Sequence, residues 1–455
     1  MFDPAGQRVT VMGLGRFGGG LGVTRFLLDH GAQVHLTDQL SEADLADSLE
    51  PLRPDLDAGT LTLRLGEHNV SDFTTPDAVV VNPAVPPHNR FVRATQAAGL
   101  PLITEIGLLI ERLPNRNHVI GITGTAGKST TAGMTAHALR AMNHTVHLGG
   151  NLGGSLLPTV HHITPHDLVV LELSSFMLHY LRPMNWSPHI AVITNLGENH
   201  LDWHQTLDHY ANAKHQLYAH QSPEDFLITP RDLPVRNPAA NHLTVDLNNT
   251  SAISLALPGE HNATNAAFAL AGAGALLNQP LPPECLADFP GLPHRLQLVH
   301  QTPPLRCYND SKSTTPDAAI LAIDAFRGDA ASAASEAPPL HLILGGYDKS
   351  SDLTLLAQHA ARSCQHIYTL GTTGPALADA IDATPNHRAT VHRCDTLDQA
   401  ITTTAQQLTD HAPPPAVLLL SPGCASWDQF PNYEARGDAF TQRVQQAFPS
   451  LGSSS

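Results

Sequence analysis

The sequence has little charge, few aromatic residues and few cysteines for its 455 residues. Charged residues make up 15% of the chain, well below the average of about 25%. The five cysteines are dispersed and form no C-x-x-C pair, which disfavours both a disulfide framework and a structural zinc site. No apolar run approaches the roughly 18 residues of a membrane-spanning helix, and the first residues lack the pattern of a secretory signal. We therefore expect a cytoplasmic protein with reduced thiols and no membrane insertion.

Positive charge is also scarce. Lys and Arg total 25 against 41 Asp and Glu, a formal net charge of −16. The 28 histidines add about seven positive charges at pH 7, which leaves an effective charge of roughly −9. An acidic chain has no overall field that attracts a nucleic-acid backbone or an anionic membrane. We expect no nucleic-acid partner, and any phosphate must be bound by a local site.

Short apolar runs typical of buried parallel strands alternate with alanine- and leucine-rich segments of helical spacing. Examples are the run 118–122 and the helical segment 130–142. This alternation predicts α/β domains with doubly wound sheets. Two polar, proline-containing links, 111–117 and 290–294, divide the chain into three predicted domains: residues 1–112, 113–296 and 297–455.

The first strand runs into a glycine-rich turn, Gly13-Leu14-Gly15-Arg16-Phe17-Gly18, and the next strand ends at Asp38. A G-x-G-x-x-G turn with an acidic residue about 20 positions later places a diphosphate at a helix N-terminus and a carboxylate near a ribose or base. The pattern favours a nucleotide, and by itself suggests NAD. A tight strand-to-helix turn without a ligand is the alternative.

A second loop, Gly121 to Thr131, follows an apolar strand and opens a helix. Its backbone N–H groups and Lys128 can surround a triphosphate while Ser129 reaches Mg²⁺. The loop predicts an ATP site, although Ile122 stands where the common G-x-x-x-x-G-K-[ST] pattern has its first glycine. A glycine-rich turn that binds no nucleotide is the alternative.

The segment 123–130 resembles the phosphate loop of the Mur ligase family, ATP-dependent amide-forming enzymes of peptidoglycan precursor synthesis. Further segments similar to the family's motifs follow in order over nearly the whole chain: 149–153, 172–176, 194–196, 200–202, 210–214, 259–265, 293–295 and 309–314. Within the family, 172–176, 309–312 and 421–430 resemble the member that adds glutamate. The resemblance implies a Rossmann-like UDP-binding domain, a central ATP-binding domain with a P-loop parallel sheet, and a Rossmann-like glutamate-binding domain.

The activity that the resemblance implies is ligation of glutamate, with the D-enantiomer expected, to UDP-N-acetylmuramoyl-L-alanine through an acyl phosphate. The implied catalytic residues are Lys128, Glu172, His200 and Lys214. The implied ligands of Mg²⁺ are Ser129, Glu172, His200 and, after carbamylation by CO₂, Lys214. The implied ATP contacts are Gly124, Thr125, Gly127, Lys128, Ser129, Thr130, Asn262, Asn265, Arg295 and Asp310.

The same resemblance implies which residues contact the UDP-linked acceptor and which contact the incoming glutamate. The implied UDP-substrate contacts are Arg16, Phe17, Asp38, Asn151 and Ser174. The implied glutamate contacts are Lys312, Thr314, Lys349, Ser426 and Tyr433. The chain departs from the family at Ala126 and Thr315, which replace asparagines, at Asn82-Pro83-Ala84, where many relatives have S-P-G, and at Trp427 beside the glutamate residues.

Other functions fit part of the sequence. A related ligase that uses L-glutamate, another amino acid or another acceptor fits most motifs, although the first glycine-rich turn argues against a folylpolyglutamate-like enzyme. An NAD-dependent dehydrogenase explains the turn 13–18 but gives the loop 123–130 no purpose. A non-catalytic nucleotide-binding relative is disfavoured because the chain has all four implied catalytic residues, Lys128, Glu172, His200 and Lys214. We expect a monomer.

Overall fold

The computed structural model describes residues 1–14, 19–236, 238–247, 255, 257–302, 305–326, 338–347, 351–409 and 415–448. Arg16, Phe17 and Lys349, all predicted site residues, lie outside these ranges. Within them the chain forms three separate sheets, and each sheet is flanked by helices.

The N-terminal sheet is entirely parallel, with strand order β3-β2-β1-β4-β5. Its elements in chain order are β1 (Arg8–Met12), α1 (Gly19–Asp29), β2 (Gln33–Asp38), α2 (Ala46–Leu49), α3 (Arg53–Asp57), β3 (Leu61–Leu65), β4 (Ala78–Val81), α4 (Arg90–Ala97), β5 (Leu102–Ile103) and α5 (Glu105–Ile110). The strand order reverses between β1 and β4, and doubly wound sheets bind ligands in the crevice at such a switch point.

The central sheet is also entirely parallel, with order β11-β10-β9-β6-β8-β7. Its elements are β6 (Val119–Thr123), α6 (Lys128–Ala141), β7 (Val146–Gly150), β8 (Leu168–Glu172), α7 (Ser175–Leu181), β9 (Ile190–Ile193), α8 (Leu201–His204), α9 (Leu207–His215), β10 (Phe226–Pro230), β11 (Asn241–Val245) and α10 (Glu260–Leu277). Every residue of β6, β8 and β9 is buried. Their continuous apolar runs are what a sheet covered on both faces requires.

The C-terminal sheet has order β12-β13-β17-β14-β15-β16, and only its edge strand β12 is antiparallel. Its elements are β12 (Gln297–Thr302), β13 (Leu305–Asn309), α11 (Pro316–Asp324), β14 (Leu340–Gly345), α12 (Thr354–Ser363), β15 (His366–Leu370), α13 (Gly374–Asp382), β16 (Thr390–Arg393), α14 (Leu397–Thr409), β17 (Ala416–Leu420) and α15 (Tyr433–Ala447). The three sheets confirm the predicted α/β class and doubly wound architecture.

The chain divides into two compact units. The first comprises Met1–Ile253 and Thr264–Leu286, and the second comprises Ser254–Ala263 and Ala287–Ser455. The N-terminal and central sheets belong to the first unit and share one hydrophobic core, to which α1, α5, β8 and β9 all contribute buried side chains. None of the described helices is long and apolar enough to span a membrane.

One face of the C-terminal sheet carries a row of stacked rings. His341 is 4% exposed, its ring centroid lies 4.6 Å from that of His366, and its Nδ1 lies 3.0 Å from the hydroxyl of Tyr368. Burial, and then the neighbouring His366 and His392, lower the pKa of His341 to about 3. Because an unfolded imidazole has a pKa near 6.5, only the unfolded chain binds this proton between those pH values.

We therefore predict that the stability of the second unit falls as the pH drops from about 6.5 toward 3, by up to about 1.4 kcal/mol per pH unit for each such histidine. Replacing the ring by His341→Phe should flatten this dependence, measured by urea unfolding at pH 5.5 and 7.5 as working values. The matched control is His166→Phe, a change at an exposed histidine. Equal pH dependence in the wild type and His341→Phe would contradict the prediction.

Candidate active site

The loop between β6 and α6 has a backbone shape that needs glycine. Gly127 adopts φ 80° as the N-cap of α6, and a Cβ there would collide with Oδ1 of Asn265. Gly124 has φ 158°, and a Cβ there would overlap the Oγ1 of Thr194. The first turn of α6, which contains Ser129 and Thr130, thus begins directly at a tight loop. An anion is stabilised at such a helix N-terminus.

A side chain from the segment after β9 braces this loop. Asn195 Oδ1 accepts hydrogen bonds from the backbone N–H of Thr125 at 3.0 Å and of Ala126 at 2.9 Å. Asn195 Nδ2 donates to Ala126 O at 3.0 Å, and Thr194 Oγ1 donates to the same carbonyl at 2.6 Å. Asn195 therefore holds Ala126, one of the predicted departures from the family pattern, through its backbone. The sequence placed Asn195 in a motif but gave it no role.

Glu172 lies at the end of β8 and is 1% exposed. Its Oε1 accepts a hydrogen bond from Nδ2 of Asn151 at 3.0 Å. Its Oε2 is buried and has no hydrogen-bond partner among the described residues. Burying a carboxylate oxygen that has no hydrogen-bond partner costs folding free energy, and a bound cation would offset that cost. The site therefore fits a bound cation. The structure thus brings together Glu172, predicted as a metal ligand, and Asn151, predicted to contact the UDP-linked substrate.

Lys214, on α9, is 2% exposed. Its Nζ donates to Gly124 O at 2.8 Å and to Thr123 Oγ1 at 3.3 Å. Burial, and then the nearby Lys128, hold the pKa of Lys214 well below its usual value, against an opposing effect of Glu172. These effects favour the neutral amine, the form in which the nitrogen can act as a nucleophile.

Lys128 and His200 complete the predicted catalytic set. Lys128 Nζ donates to Thr125 O at 2.9 Å, back toward the loop. His200 adopts a left-handed conformation with φ 54° before α8. Burial lowers the pKa of His200; Asp202 opposes the shift, and Lys128 and Lys214 add to it. Lys128 thus affects the pKa of both Lys214 and His200, and Glu172 affects the pKa of Lys214. The four predicted catalytic residues therefore lie close enough to interact electrostatically.

At the N-terminal sheet, Asp38 ties two loops together. Its Oδ2 accepts from the N–H of Leu14 at 2.9 Å, and its Oδ1 accepts from the N–H of Leu40 at 2.9 Å. Asp38 is 6% exposed, so its observed role is to fix the loop after β1.

Ser174 is the N-cap of α7, and its Oγ accepts from the N–H of Met177 at 3.2 Å. Neither the role of Asp38 nor that of Ser174 was evident from the sequence.

The residues predicted to bind the nucleotide have different surroundings in the structure. Asn265 faces the phosphate loop, where its Oδ1 accepts from Thr131 Oγ1 at 3.4 Å. Asn262 is 4% exposed, and its Nδ2 donates to Pro258 O at 2.6 Å. Arg295 lies between two residues of positive φ, His294 at 60° and Leu296 at 43°.

Asp310 is internal in this structure. Its Oδ1 accepts from the N–H of Leu296 at 3.1 Å. Its Oδ2 accepts from Ser313 Oγ at 2.5 Å and from Ser421 Oγ at 2.8 Å. Burial raises the pKa of Asp310 to about 6, although these hydrogen bonds and Arg295 oppose the shift. Both oxygens are engaged by the protein, so the carboxylate braces the turn that carries Arg295.

The loops after β13, β14 and β17 surround a small crevice in the second unit. Thr314 lines it beside Tyr347, Thr373 and Cys424. Of the other predicted glutamate residues, Ser426 is 2% exposed, and Nζ of Lys312 lies 5.7 Å from the ring centre of Tyr433. Tyr347, Thr373 and Cys424 were not predicted from the sequence as lining residues.

A buried arginine that the sequence analysis missed holds two of these loops. Arg436, on α15, is 1% exposed. It donates to Cys424 O at 3.1 Å and Ala425 O at 3.0 Å, and to Ser311 Oγ and Ser311 O at 2.9 Å each. An arginine on a helix usually indicates a solvated face, so no local signal distinguished it.

Comparison with known protein families gives matches in all three parts of the chain. The Mur ligase MurD-like N-terminal domain matches residues 7–104, the Mur ligase middle domain matches 122–251, and the Mur ligase glutamate ligase domain matches 294–424. The family resemblance predicted from the motifs is therefore confirmed.

Solved structures with similar folds include the UDP-N-acetylmuramate-alanine ligase of Thermotoga maritima, with a TM-score of 0.55 and 17% identity over 97% of this chain and all of that one. The MurF ligase of Thermotoga maritima in complex with ADP has a TM-score of 0.53 and 14% identity, over 97% of this chain and 95% of that one. These likenesses support the fold.

Two curated relatives match almost end to end. A protein of Roseiflexus sp. (strain RS-1) is 34% identical over 97% of this chain and 99% of its own. A protein of Pelotomaculum thermopropionicum is 31% identical over 96% of this chain and 97% of its own. Both relatives are named UDP-N-acetylmuramoylalanine–D-glutamate ligase. The phosphate loop, the buried carboxylate and lysine beside it, and these full-length matches lead to one conclusion: the chain belongs to the Mur ligase family.

Proposed function

We propose that this chain is an ATP-dependent ligase that joins D-glutamate to UDP-N-acetylmuramoyl-L-alanine in peptidoglycan precursor synthesis. The observation that carries the proposal is the buried carboxylate of Glu172, with one unpartnered oxygen, in the same neighbourhood as Lys128, Lys214 and the phosphate loop. The names of the full-length relatives supply the two substrates. ATP and the nucleotide-linked acceptor place the reaction in the cytoplasm, and we expect the enzyme to act as a monomer.

Amide formation from a carboxylate needs an activated acyl group. In the proposed reaction the alanine carboxylate attacks the γ-phosphorus of ATP, ADP leaves, and an acyl phosphate forms. The glutamate amine then attacks the acyl carbon, loses a proton, and the C–O bond to phosphate breaks to leave the amide. Lys128 offsets the negative charge that gathers around the transferred phosphoryl group, which is where electrostatic stabilisation matters most.

The residues around Glu172 fit Mg²⁺, a hard cation that prefers oxygen ligands. Glu172 Oε2 has no hydrogen-bond partner among the described residues, and Ser129 is the second residue of α6. We assign the cation to Ser129, Glu172 and His200, with Lys214 as a further ligand once it is carbamylated. When bound, Mg²⁺ neutralises charge on the phosphates.

Lys214 is suited to carbamylation because burial lowers the pKa of its amine and so favours the neutral, nucleophilic form. The nitrogen of the neutral amine attacks CO₂, an N–C bond forms and the nitrogen loses one proton, so that a neutral amine becomes a negatively charged carbamate. The new negative charge would lie near Lys128, whose charge currently opposes that of Lys214. The buried position would then carry an oxygen ligand in place of an amine.

The remaining predicted residues divide between the substrates. Gly124, Thr125, Gly127, Thr130 and Asn265 belong to the phosphate loop or face it. We also assign Asn262, Arg295 and Asp310 to the nucleotide, and Asn151, Ser174, Asp38, Arg16 and Phe17 to the UDP-linked acceptor. Lys312, Thr314, Lys349, Ser426 and Tyr433 are assigned to glutamate.

The first test is phosphate release from ATP in the presence of UDP-N-acetylmuramoyl-L-alanine. We predict release with D-glutamate, and background release with L-glutamate or no amino acid. Lys128→Ala should lower the rate by about 10²-fold or more, the range expected when an electrostatic contact to the transition state is lost. Arg231→Ala is the matched control, because it removes an exposed cation from the same unit.

Release that depends on L-glutamate would correct the stereochemistry. Absence of release with either enantiomer, from folded protein that binds ATP, would overturn the proposed reaction.

Carbamylation has its own test, which the sequence makes simple because the chain contains four lysines. We predict that ¹³C-labelled bicarbonate gives a carbamate carbonyl signal in the NMR spectrum of the wild type. The signal should be lost in Lys214→Ala and kept in Lys312→Ala, a change at a lysine of the other unit. Identical spectra for the wild type and Lys214→Ala would show that Lys214 is not carbamylated.

A further inference from the structure

The loop that follows β4 lies at the switch point of the N-terminal sheet. There Asn82 Oδ1 accepts from the N–H of Ala84 at 3.0 Å, and Asn82 O accepts from the N–H of Val85 at 2.9 Å. Asn82 and Ala84 are exposed, and the Cβ of Asn82 lies about van der Waals distance from the Gly13 position after β1. The turn 82–85 therefore borders the crevice in which a doubly wound sheet binds its ligand.

Two aromatic side chains from the central domain hold the carbonyls of this turn. Trp203 Nε1 donates to Ala84 O at 3.0 Å, and the Tyr180 hydroxyl donates to Val85 O at 2.7 Å. Burial raises the pKa of Tyr180 well above its usual value, so the hydroxyl keeps its proton and remains a donor. Both bonds join residues about a hundred positions apart in the chain.

The tryptophan is also part of the packing around His200. The ring of Phe176 lies 4.8 Å from that of Trp203 and 4.8 Å from that of His200. Trp203 is 5% exposed and packs edge to face with His179 at 5.2 Å. A single aromatic cluster therefore supports both the turn 82–85 and the histidine assigned to the reaction centre.

We propose that Trp203 and Tyr180 form a clamp that positions the turn 82–85 for the UDP-linked acceptor and fixes that turn relative to His200. The inference rests on the proposed function, because the acceptor must reach from the N-terminal sheet to the phosphate loop. The alanine carboxylate of the acceptor reaches the γ-phosphate only if the UDP end and the alanine end of the acceptor are both held in position. Small misplacements of reacting groups slow such reactions strongly. Trp203 and Tyr180 are positioning residues, since they act through the turn and not on the substrate.

The test removes each hydrogen bond and keeps an aromatic side chain at the position: Trp203→Phe and Tyr180→Phe. The dissociation constants of UDP-N-acetylmuramoyl-L-alanine and of ATP are measured separately by calorimetry, without turnover. Each variant should weaken acceptor binding about threefold to tenfold, the effect of one neutral hydrogen bond, and leave ATP binding unchanged. Trp186→Phe and Tyr218→Phe are matched controls in the same unit and should change neither constant.

The double variant tests whether the two side chains act on one turn. Its loss of affinity should be smaller than the product of the single losses, because a turn released at one carbonyl is already mobile. Acceptor affinity equal to that of Trp186→Phe, or an equal loss of acceptor and ATP affinity with a lowered unfolding midpoint, would overturn the clamp.

Failure of the proposed reaction would be visible separately. If the wild type binds the acceptor in a clamp-dependent way but releases no phosphate with either glutamate enantiomer, the clamp stands and the proposed reaction does not. If the wild type binds UDP but not the acceptor, the assignment of the clamp to this acceptor is overturned.

Discussion

The burial of two ionisable side chains at the carboxyl edge of the central sheet is the constraint on which the site depends. Glu172 and Lys214 are 1% and 2% exposed, and an ionised group that is buried without compensation is strongly destabilising. Because β6, β8 and β9 are parallel, their carboxyl ends lie at the same edge of the sheet, and the residues that follow these strands meet there. The two side chains are tolerated because Lys214 donates to the Gly124 carbonyl and the Thr123 hydroxyl, and Asn151 donates its amide N–H to Glu172. The other Glu172 oxygen has no hydrogen-bond partner among the described residues, and the proposed cation would compensate it.

The few lysines of the chain are concentrated at the predicted site positions. Of the 25 basic residues four are lysines, Lys128, Lys214, Lys312 and Lys349, and each falls at a predicted site position. The rest of the chain uses arginine, which stays charged, whereas a buried lysine can lose its proton. Arg436 illustrates the contrast, because it is buried with its hydrogen bonds to carbonyls and a hydroxyl, a purely structural use of a cation. All four lysines thus stand at positions to which the proposed function gives a substrate or catalytic role.

The sequence predicted the fold class and the phosphate loop because their signals are local. Apolar runs, glycines at required positions and a lysine before a helix all lie within a few residues of one another. The braces are long-range: Asn195 is 69 residues from Ala126, Trp203 is 119 from Ala84, and Arg436 is 125 from Ser311. No periodicity or spacing relates such pairs. The motifs therefore predicted candidate reacting groups and gave no role to the residues that hold them.

Asp310 shows how a site residue can act through its surroundings. A leucine in the left-handed region, as Leu296 is at φ 43°, is strained and persists only where other contacts determine it. Asp310 supplies one such contact by accepting from the N–H of Leu296, and the serines at 313 and 421 fix the carboxylate in turn. Arg295 is consequently presented from a turn of fixed shape. The carboxylate that the resemblance assigned to ATP thus also supports the turn of the arginine assigned to the same nucleotide.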